Sequence, residues 1–212
     1  MATAALVFAE VRALMNDVGN TLWTDAVQLP FLQRAHRELQ NELWRFASPV
    51  VRKRTAQITV TAGALDLSTD LPADIVEPIS MVEKGTAEAV SLYKPMTEVN
   101  VIPDLAQVAT LIYWAWVEEK VVFLGATANR HVRLYYRKSI AVPTAAGDPL
   151  GFINAEQYLP HRVAAMAAMS VGNQTLFEHY TNEARQSLGK VIRTNKGKIP
   201  PGAPPPEERS KP

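Results

Sequence analysis

The 212-residue sequence contains no cysteine, and this absence removes several classes of function at once. A thiol nucleophile, a cysteine-ligated zinc site and a structural disulfide are all excluded, and nothing favours an oxidising compartment. The chain also lacks a surplus of charge of either sign, because 22 lysines and arginines are balanced by 21 acidic residues. That near balance argues against a dedicated nucleic-acid coat and against a polybasic membrane binder.

Long apolar runs are missing as well. The best candidate, Val163 to Val171, falls well short of the roughly 18 apolar residues that a membrane helix needs, and it follows His161 and Arg162. The N-terminal apolar stretch has no basic region ahead of it and is interrupted by Glu10 and Arg12, so we expect no secretory signal. The sequence therefore predicts a soluble protein that makes no membrane contact.

Common catalytic motifs are absent too. The sequence has no G-x-S-x-G elbow, no phosphate-binding P-loop, no G-x-G-x-x-G and no H-E-x-x-H. Of the histidines His36, His131, His161 and His179, only the last has a carboxylate at metal-ligand spacing, Glu183, and an ordinary helical pair explains it better. We predict a protein that is not an enzyme and that uses no metal and no cofactor.

Two further clusters suggest ligand binding but have simpler explanations. Asp66, Asp70 and Asp74 recur every four residues, but leucine and proline lie between them and no terminal glutamate follows, so a solvated acidic loop is favoured over a calcium site. The run from Tyr113 to Trp116 could stack on bases or sugars. A core strand or a subunit interface explains these aromatic residues better, with Trp114 and Trp116 on one face.

Apolar spacing predicts helices near the N-terminus. The first is expected to start after Thr3 and to end just before Gly19. A second is expected to start near Thr24, whose hydroxyl can cap it, and to end at Ser48-Pro49, with Pro30 kinking or delaying its first turns.

The helical period returns after residue 149. Asn154 with Gln157 three residues later resembles a capping box, and Pro160 is a second candidate start. Gly172 either divides this region into two helices or weakens a single one.

Between the helical regions the apolar period is two, which indicates strands. Turns are expected at Ala62-Gly63, Lys84-Gly85 and Glu118-Glu119. Short strands joined by short polar turns predict a mainly antiparallel sheet. The predicted strands are 55–61, 75–83, 88–93, 111–117, 120–124 and 131–137.

These patterns predict an α+β fold. The N- and C-terminal helices, residues 1–50 and 150–196, are expected to form a helical bundle, with an antiparallel β-rich domain inserted at residues 51–149. Residues 197–212 hold six of the 15 prolines and few large apolar side chains, so they can form neither a helix nor a core. We expect them to form an extended, proline-rich tail.

The residues that precede this tail are basic. Between Arg185 and Lys198 there are five cationic side chains and no acidic one. Such charges complement the partial negative charge at the end of a helix, at about 0.3 to 1 kcal/mol each. They could equally form a basic stem that delivers the tail to an acidic partner surface or to DNA, and the residues alone do not separate these interpretations.

Several segments together resemble bacteriophage head-to-tail adaptor (connector) proteins. Trp23-Thr24-Asp25 followed by LPFLQRAHRELQNELWRF resembles the family's opening W-T-D and leucine-rich helix with a central R-A-x-R-E-L. LDLSTDLPADIVEPISMVEKG is similar to its L-P-x-D, strand and turn passage. YWAWVEEKVVFLG and HVRLYYRKSIAVP are similar to its paired strands, which end in an aromatic-Tyr-Arg segment. The resemblance covers most of residues 22–190 in the expected order, although Gly125-Ala126-Thr127-Ala128 replaces an expected proline-bearing turn.

The resemblance implies a structural virion protein of the head-tail neck, assembled in the host cytoplasm. In such adaptors a ring of identical subunits, usually twelve, docks under the portal and presents a platform to a distal stopper, nozzle or tail protein. We expect the tail to bind the portal in extended form, because proline reduces the entropy lost on binding. The portal-binding residues would be Arg193, Lys196, Lys198, Ile199, Pro200, Pro201, Pro204, Pro205 and Pro206.

The alternative hypothesis is a nucleic-acid-binding module. It would use the Arg185 to Lys198 stem together with Arg52-Lys53-Arg54, and its affinity would fall steeply with salt. The two hypotheses overlap if basic residues of the ring make non-specific contact with DNA in its channel.

Overall fold

A computed structural model describes residues 2–17, 19–67 and 71–195. The described residues form a mixed α+β fold that divides into two compact units. One unit, the helical unit, combines the residues up to Val50 with those from Ala141 onward. The other, the β unit, is the continuous segment Val51–Ile140.

The helical unit is built around a small, buried helix. Its helices are α1 (Ala4–Leu14), α2 (Asp25–Arg45), α3 (Leu159–Ser170) and α4 (Gln174–Asn195). Helix α3 packs against each of the other helices and buries a run of mostly small side chains from Val163 to Ala168. Because these side chains are short, the neighbouring helices can approach α3 closely.

A capped turn fixes the start of α2. The Asp17 carboxylate accepts hydrogen bonds from the amides of Leu22 (3.0 Å) and Trp23 (2.7 Å) and from the Thr21 amide and hydroxyl. These bonds, the one from Trp23 first, lower the pKa of Asp17 to about 2. The Thr24 hydroxyl then accepts from the Val27 amide, as predicted for the cap.

The β unit contains two small sheets within the described residues. The first has the strand order β1-β9-β4-β5, with β2 also paired to β9, and all of its pairs are antiparallel. The second has the order β3-β8-β7-β6 and includes one parallel pair, β6 with β7. The strands are β1 (Arg52–Arg54), β2 (Ile58–Val60), β3 (Asp66–Leu67), β4 (Ile75–Gly85), β5 (Lys94–Pro95), β6 (Thr97–Glu98), β7 (Tyr113–Val117), β8 (Lys120–Phe123) and β9 (Arg130–Lys138).

One apolar core joins the two sheets of the β unit. Trp114 and Phe123 from the second sheet pack with Met81, Leu134 and Tyr136 from the first, each no more than 1% exposed. The ring of Trp116 packs against the same core, so the predicted shared face of the two tryptophans is confirmed. Burying such large side chains stabilises the fold by roughly 1.5 to 3 kcal/mol each.

Several helix boundaries differ from the prediction. Helix α1 ends at Leu14 rather than before Gly19, because Asn16 adopts the left-handed conformation (φ 53°) and turns the chain there. The backbone of Asn154 is also left-handed (φ 57°). A residue that caps the start of a helix needs an extended backbone, so the Asn154 side chain does not form such a cap. Helix α3 instead starts at Leu159 with Pro160 in its first turn, which was the second predicted start.

Other helix predictions are settled by the positions of a proline and a glycine. Pro30 lies inside α2, which begins at Asp25, so the proline does not delay the helix. Gly172 divides the C-terminal region into α3 and α4 and has a positive φ of 73° that favours glycine.

The strands predicted at 75–83, 111–117, 120–124 and 131–137 are confirmed, with shifts of a few residues at their ends. The strand predicted at 88–93 is wrong, since Val90–Leu92 is a 3₁₀ turn. The predicted turn at Lys84-Gly85 lies slightly later and is longer: β4 continues through Gly85 in pairing with β9, and the chain returns as β5, which pairs antiparallel with β4. Bonds from Lys84 Nζ to the Glu88 carbonyl (2.6 Å) and from the Gly85 amide to the Glu88 carboxylate (2.7 Å) form a compact loop at this turn.

The turn at Glu118-Glu119 is confirmed between β7 and β8. Both residues have positive φ values, 50° and 61°, which is the backbone of a type I′ hairpin turn.

Candidate partner-binding surfaces

The end of α4 is held firmly in the helical unit. Asn195 is 2% exposed, and its side-chain amide donates to the carbonyls of Ile153 (2.9 Å) and Val191 (2.8 Å). The Ser48 hydroxyl in turn donates to the Asn195 carbonyl (2.7 Å). Side chains from distant parts of the sequence therefore fix the position of Asn195, the last described residue.

The predicted portal-binding residues lie at and beyond this point. Arg193 is exposed in the last turn of α4, where its charge complements the helix end. The other predicted residues, Lys196, Lys198, Ile199, Pro200, Pro201, Pro204, Pro205 and Pro206, lie outside the described residues.

A polar groove lies between α2, α3 and α4. Its volume is about 330 Å³, and Glu38 and Glu42 of α2 line it opposite Arg162 and Arg185. Arg162 Nε donates to Glu38 (2.7 Å), which raises the pKa of Arg162. Burial raises the pKa of Tyr158, at the same groove, to about 12. Cations and carboxylates are mixed here, so the groove has no dominant charge.

One face of the first sheet in the β unit is strongly cationic. Side chains alternate along β9, so Arg133, Tyr135 and Arg137 lie opposite to the core residues Val132 and Leu134. We call the side of the sheet that carries these three residues the outward face.

The edge strand β1 adds further charge to the outward face. Arg52 is paired in register with Arg137, and Arg54 with Tyr135, so the side chains of each pair lie side by side. Arg54 is stacked over the Tyr135 ring at 5.8 Å from its centroid. Burial and the neighbouring Arg137 lower the pKa of Arg52.

Lys53 does not belong to this cationic face. It pairs in register with Tyr136 and points to the other side of the sheet, where its Nζ donates to Asp74 (3.0 Å). The Tyr136 hydroxyl donates to the same carboxylate (2.7 Å). Burial raises the pKa of Asp74, but these two hydrogen bonds outweigh it and the net shift is downward. The predicted Arg52-Lys53-Arg54 site is therefore split between two faces.

The remaining predicted candidates have structural roles where they are described. His36 is fully buried, lies against the Phe152 ring and is 2.9 Å from the Leu150 carbonyl. Asp66 lies in the short strand β3, and Asp74 is engaged as above, while Asp70 lies outside the described residues. Trp114 is 1% exposed, so it offers no stacking platform for a base. No cluster of three metal-ligating side chains occurs within the described residues.

None of the helices among the described residues combines the length and the apolar content that crossing a bilayer requires.

Within the described residues, the α+β fold offers partners two surface features, the fixed end of α4 and the cationic face of the first sheet. Comparison with known families gives the specific assignment: residues 2–204 match the family described as SU10 adaptor protein. The chain belongs to this family and is a bacteriophage head-to-tail adaptor. No curated protein gives a significant match. The family is one of structural adaptors and lends no support to the nucleic-acid-binding alternative.

The structure explains the motifs that carried the resemblance. In the W-T-D motif, Trp23 is buried, Thr24 caps α2, and Asp25 forms an ion pair with Arg12 (2.6 Å). Asp74 of the L-P-x-D motif and Tyr136 of the aromatic-Tyr-Arg segment meet through their hydrogen bond. These motifs therefore maintain the fold of each unit.

The cationic face itself was missed by sequence reasoning. The alternation of Arg133, Tyr135 and Arg137 and the Arg52-Lys53-Arg54 run are both visible in the sequence. The register that places Arg52 beside Arg137 joins residues 85 positions apart, and no local pattern encodes it.

Proposed function

We propose that the chain forms a ring, a dodecamer, that joins the portal of the bacteriophage head to the next neck or tail component, a stopper or nozzle protein. The observation that supports this most is the match to the adaptor family over residues 2–204, a range that includes the basic end of α4 and the prolines up to Pro204. The protein would be assembled in the host cytoplasm and would reside in the neck of the virion. Contact with DNA in the channel of the ring would be non-specific.

Each part of the chain has a separate task in this proposal. Residues 1–50 and 150–196 would act as a helical bundle that packs in the ring, and residues 51–149 would be a β-rich domain that contacts neighbouring proteins. Residues 197–212 would be an extended arm that binds the portal. The bonds that hold Asn195 support this arrangement, because an arm that leaves from a fixed point loses less entropy when it binds.

The test is attachment to purified capsids that carry the portal. Deletion of residues 197–212 is expected to reduce attachment strongly, and deletion of residues 207–212 alone is the control that keeps the proline-rich segment. A variant in which Arg193, Lys196 and Lys198 are all replaced by glutamine separates the contribution of charge from that of proline. Undiminished attachment after the longer deletion would refute the role of the tail.

A further inference from the structure

Four arginines, Arg52, Arg54, Arg133 and Arg137, share the outward face of the first sheet. Arg54 and Arg133 stack on the rings of Tyr135 and Tyr93, and Arg137 pairs with Glu77 (2.5 Å), whereas Arg52 has no ion pair within the described residues. Like charges placed directly opposite each other on neighbouring strands destabilise a sheet. The pairing of Arg52 with Arg137 is therefore unfavourable, Glu77 offsets the repulsion in part, and an anionic group beside Arg52 would offset it further.

A cleft adjoins these arginines. It has a volume of about 350 Å³ and is lined by all three residues of β1 together with Ile79, Ser80, Tyr135 and Tyr136. The half-buried Ile79 and the Tyr135 ring supply apolar surface next to two guanidinium groups. This combination suits a side chain with an apolar stem and a terminal carboxylate.

The strand next to the cleft has an open side. Strand β1 ends the order β1-β9-β4-β5, and in the described part of the chain β9 is its one strand partner. Its outer edge thus presents backbone groups to which another extended chain can bind. In an added strand, alternate side chains would lie directly opposite Arg52 and Arg54.

We propose that β1 binds an extended segment of a partner protein that carries acidic side chains at alternate positions. The added strand would form backbone hydrogen bonds with β1, and two of its carboxylates would pair with Arg52 and Arg54. The identification of the partner as a neighbouring neck component rests on the proposed function. The chemistry of the surface is independent of that function.

Two features of the surface favour an acidic protein segment over DNA. The apolar surface of the cleft and the free strand edge are features that a protein segment can use and that phosphate contacts do not need.

Protection of the edge against aggregation does not explain the face. Charged side chains on an edge strand do discourage unwanted pairing. That role accounts for the three charges of β1, but it does not account for the cleft with apolar surface beside Arg52 and Arg54.

The test is binding of fluorescein-labelled heptapeptides to the full chain, measured by anisotropy. One peptide, Thr-Glu-Val-Glu-Val-Glu-Thr, has alternating glutamates, and the control, Thr-Val-Glu-Glu-Glu-Val-Thr, has the same composition with the glutamates adjacent. The alternating peptide is expected to bind at least tenfold more tightly and to protect the amides of Arg52 and Arg54, which face the open edge, from hydrogen exchange. Equal binding of the two peptides, or no saturable binding, overturns the proposal.

Matched variants separate position from net charge. The double variant Arg52→Glu with Arg54→Glu should bind the alternating peptide at least tenfold more weakly. It should instead prefer a peptide with lysine in place of glutamate. Arg37→Glu with Lys120→Glu makes the same change in net charge at exposed sites elsewhere and should have little effect. A 30-base-pair duplex that binds more tightly than the peptide, and loses binding in the arginine variant, would overturn the proposal in favour of DNA. No capsid is used, so these results are independent of the attachment test.

Discussion

The two units satisfy their buried polar groups in different ways. In the helical unit, side chains donate to backbone carbonyls, as Tyr180 does to Leu14 (2.6 Å) and Ser48 does to Asn195 (2.7 Å). In the β unit, bonds between side chains and backbone also occur, as from Lys84 to the Gly85 carbonyl, but two oppositely charged side chains, Arg130 and Glu83, are buried against each other (2.6 Å). Helix ends leave carbonyls without partners, whereas paired strands use most of theirs in the ladder. The architecture of each unit therefore determines which polar contacts are available to hold it together.

The difference also reflects how each unit is assembled along the chain. The helical unit joins two segments that the whole β unit separates in sequence, and bonds such as that between Gln33 and the Pro143 carbonyl (3.0 Å) connect them. The β unit is one continuous segment and needs no such connections. Substitutions of polar residues in the helical unit should therefore weaken the contacts between its two segments. In the β unit, such substitutions should instead disturb the core.

The largest effect is expected in the β unit, at its buried ion pair. Arg130 and Glu83 have side chains that are 9% and 3% exposed, so Arg130→Met would leave a buried carboxylate without its partner. We expect a loss of about 3 to 5 kcal/mol in the free energy of unfolding, measured by urea denaturation. Adding Glu83→Leu to this variant should recover most of that loss, because the unpaired charge is then gone.

An exposed ion pair on the same two strands provides the control. Arg137 and Glu77 are 41% and 53% exposed, so Arg137→Met should cost no more than about 1 kcal/mol. Similar losses for Arg130→Met and Arg137→Met would show that burial does not set the importance of these pairs.

A smaller effect is expected in the helical unit at Asn195. Asn195→Ala removes the donor to the Ile153 and Val191 carbonyls and should cost about 1 to 3 kcal/mol. Ser48→Ala should cost about 1 kcal/mol, and the double variant should lose less than the sum, since both contacts hold the same residue. The measurement is a double-mutant cycle by urea denaturation.

The exposed neighbour Thr194 is the control for this site. Its hydroxyl donates to the Lys190 carbonyl (3.1 Å) within one helix, so Thr194→Ala should change stability by less than about 0.5 kcal/mol. Strict additivity of the Ser48 and Asn195 substitutions would contradict the view that they hold one helix end together.

The sequence predicts the elements of both units better than their connections. Period-two spacing correctly indicates the long strands, and the Thr24 cap and the Gly172 break are visible as local residue preferences. The 3₁₀ turn at Val90–Leu92 could not be foreseen in this way, because contacts among Lys84, Gly85 and Glu88 override an alternating pattern. Local propensity is decisive where the chain is exposed and yields where tertiary contacts compete with it.

The candidate surfaces were less predictable than the fold. The sequence shows which side chains of β9 alternate, but the cationic face depends on the register of β1 against β9. Likewise, the contact of Asn195 with the Ile153 carbonyl joins positions 42 residues apart. Both depend on pairings that form only after the chain has folded, so charge runs in the sequence give an incomplete account of charge on the surface.

The two units should also respond differently to pH, because His36 is buried in the helical unit. Burial lowers the pKa of His36 from its usual 6.5, the Leu150 carbonyl opposes this shift and Arg37 adds to it. The folded protein therefore keeps His36 neutral at pH values where the unfolded chain binds a proton. The unfolded state then binds more protons, so the free energy of unfolding falls as the pH is lowered from 6.5 towards the folded-state pKa of His36.

His36→Gln removes this titration and retains a donor for the Leu150 carbonyl, which is 2.9 Å from Nε2. We expect the variant to lose stability less steeply than the parent protein between pH 6.5 and 5, by urea denaturation at several pH values. His131 of the β unit also has a lowered pKa, through burial and the charge of Lys84, so the remaining slope should decrease further in His131→Gln. Hydrogen exchange at low pH assigns each contribution to its unit: His36→Gln should restore protection in α2 and His131→Gln in β9. If His36→Gln left the pH slope unchanged, the buried histidine would not be the group that makes the helical unit sensitive to acid.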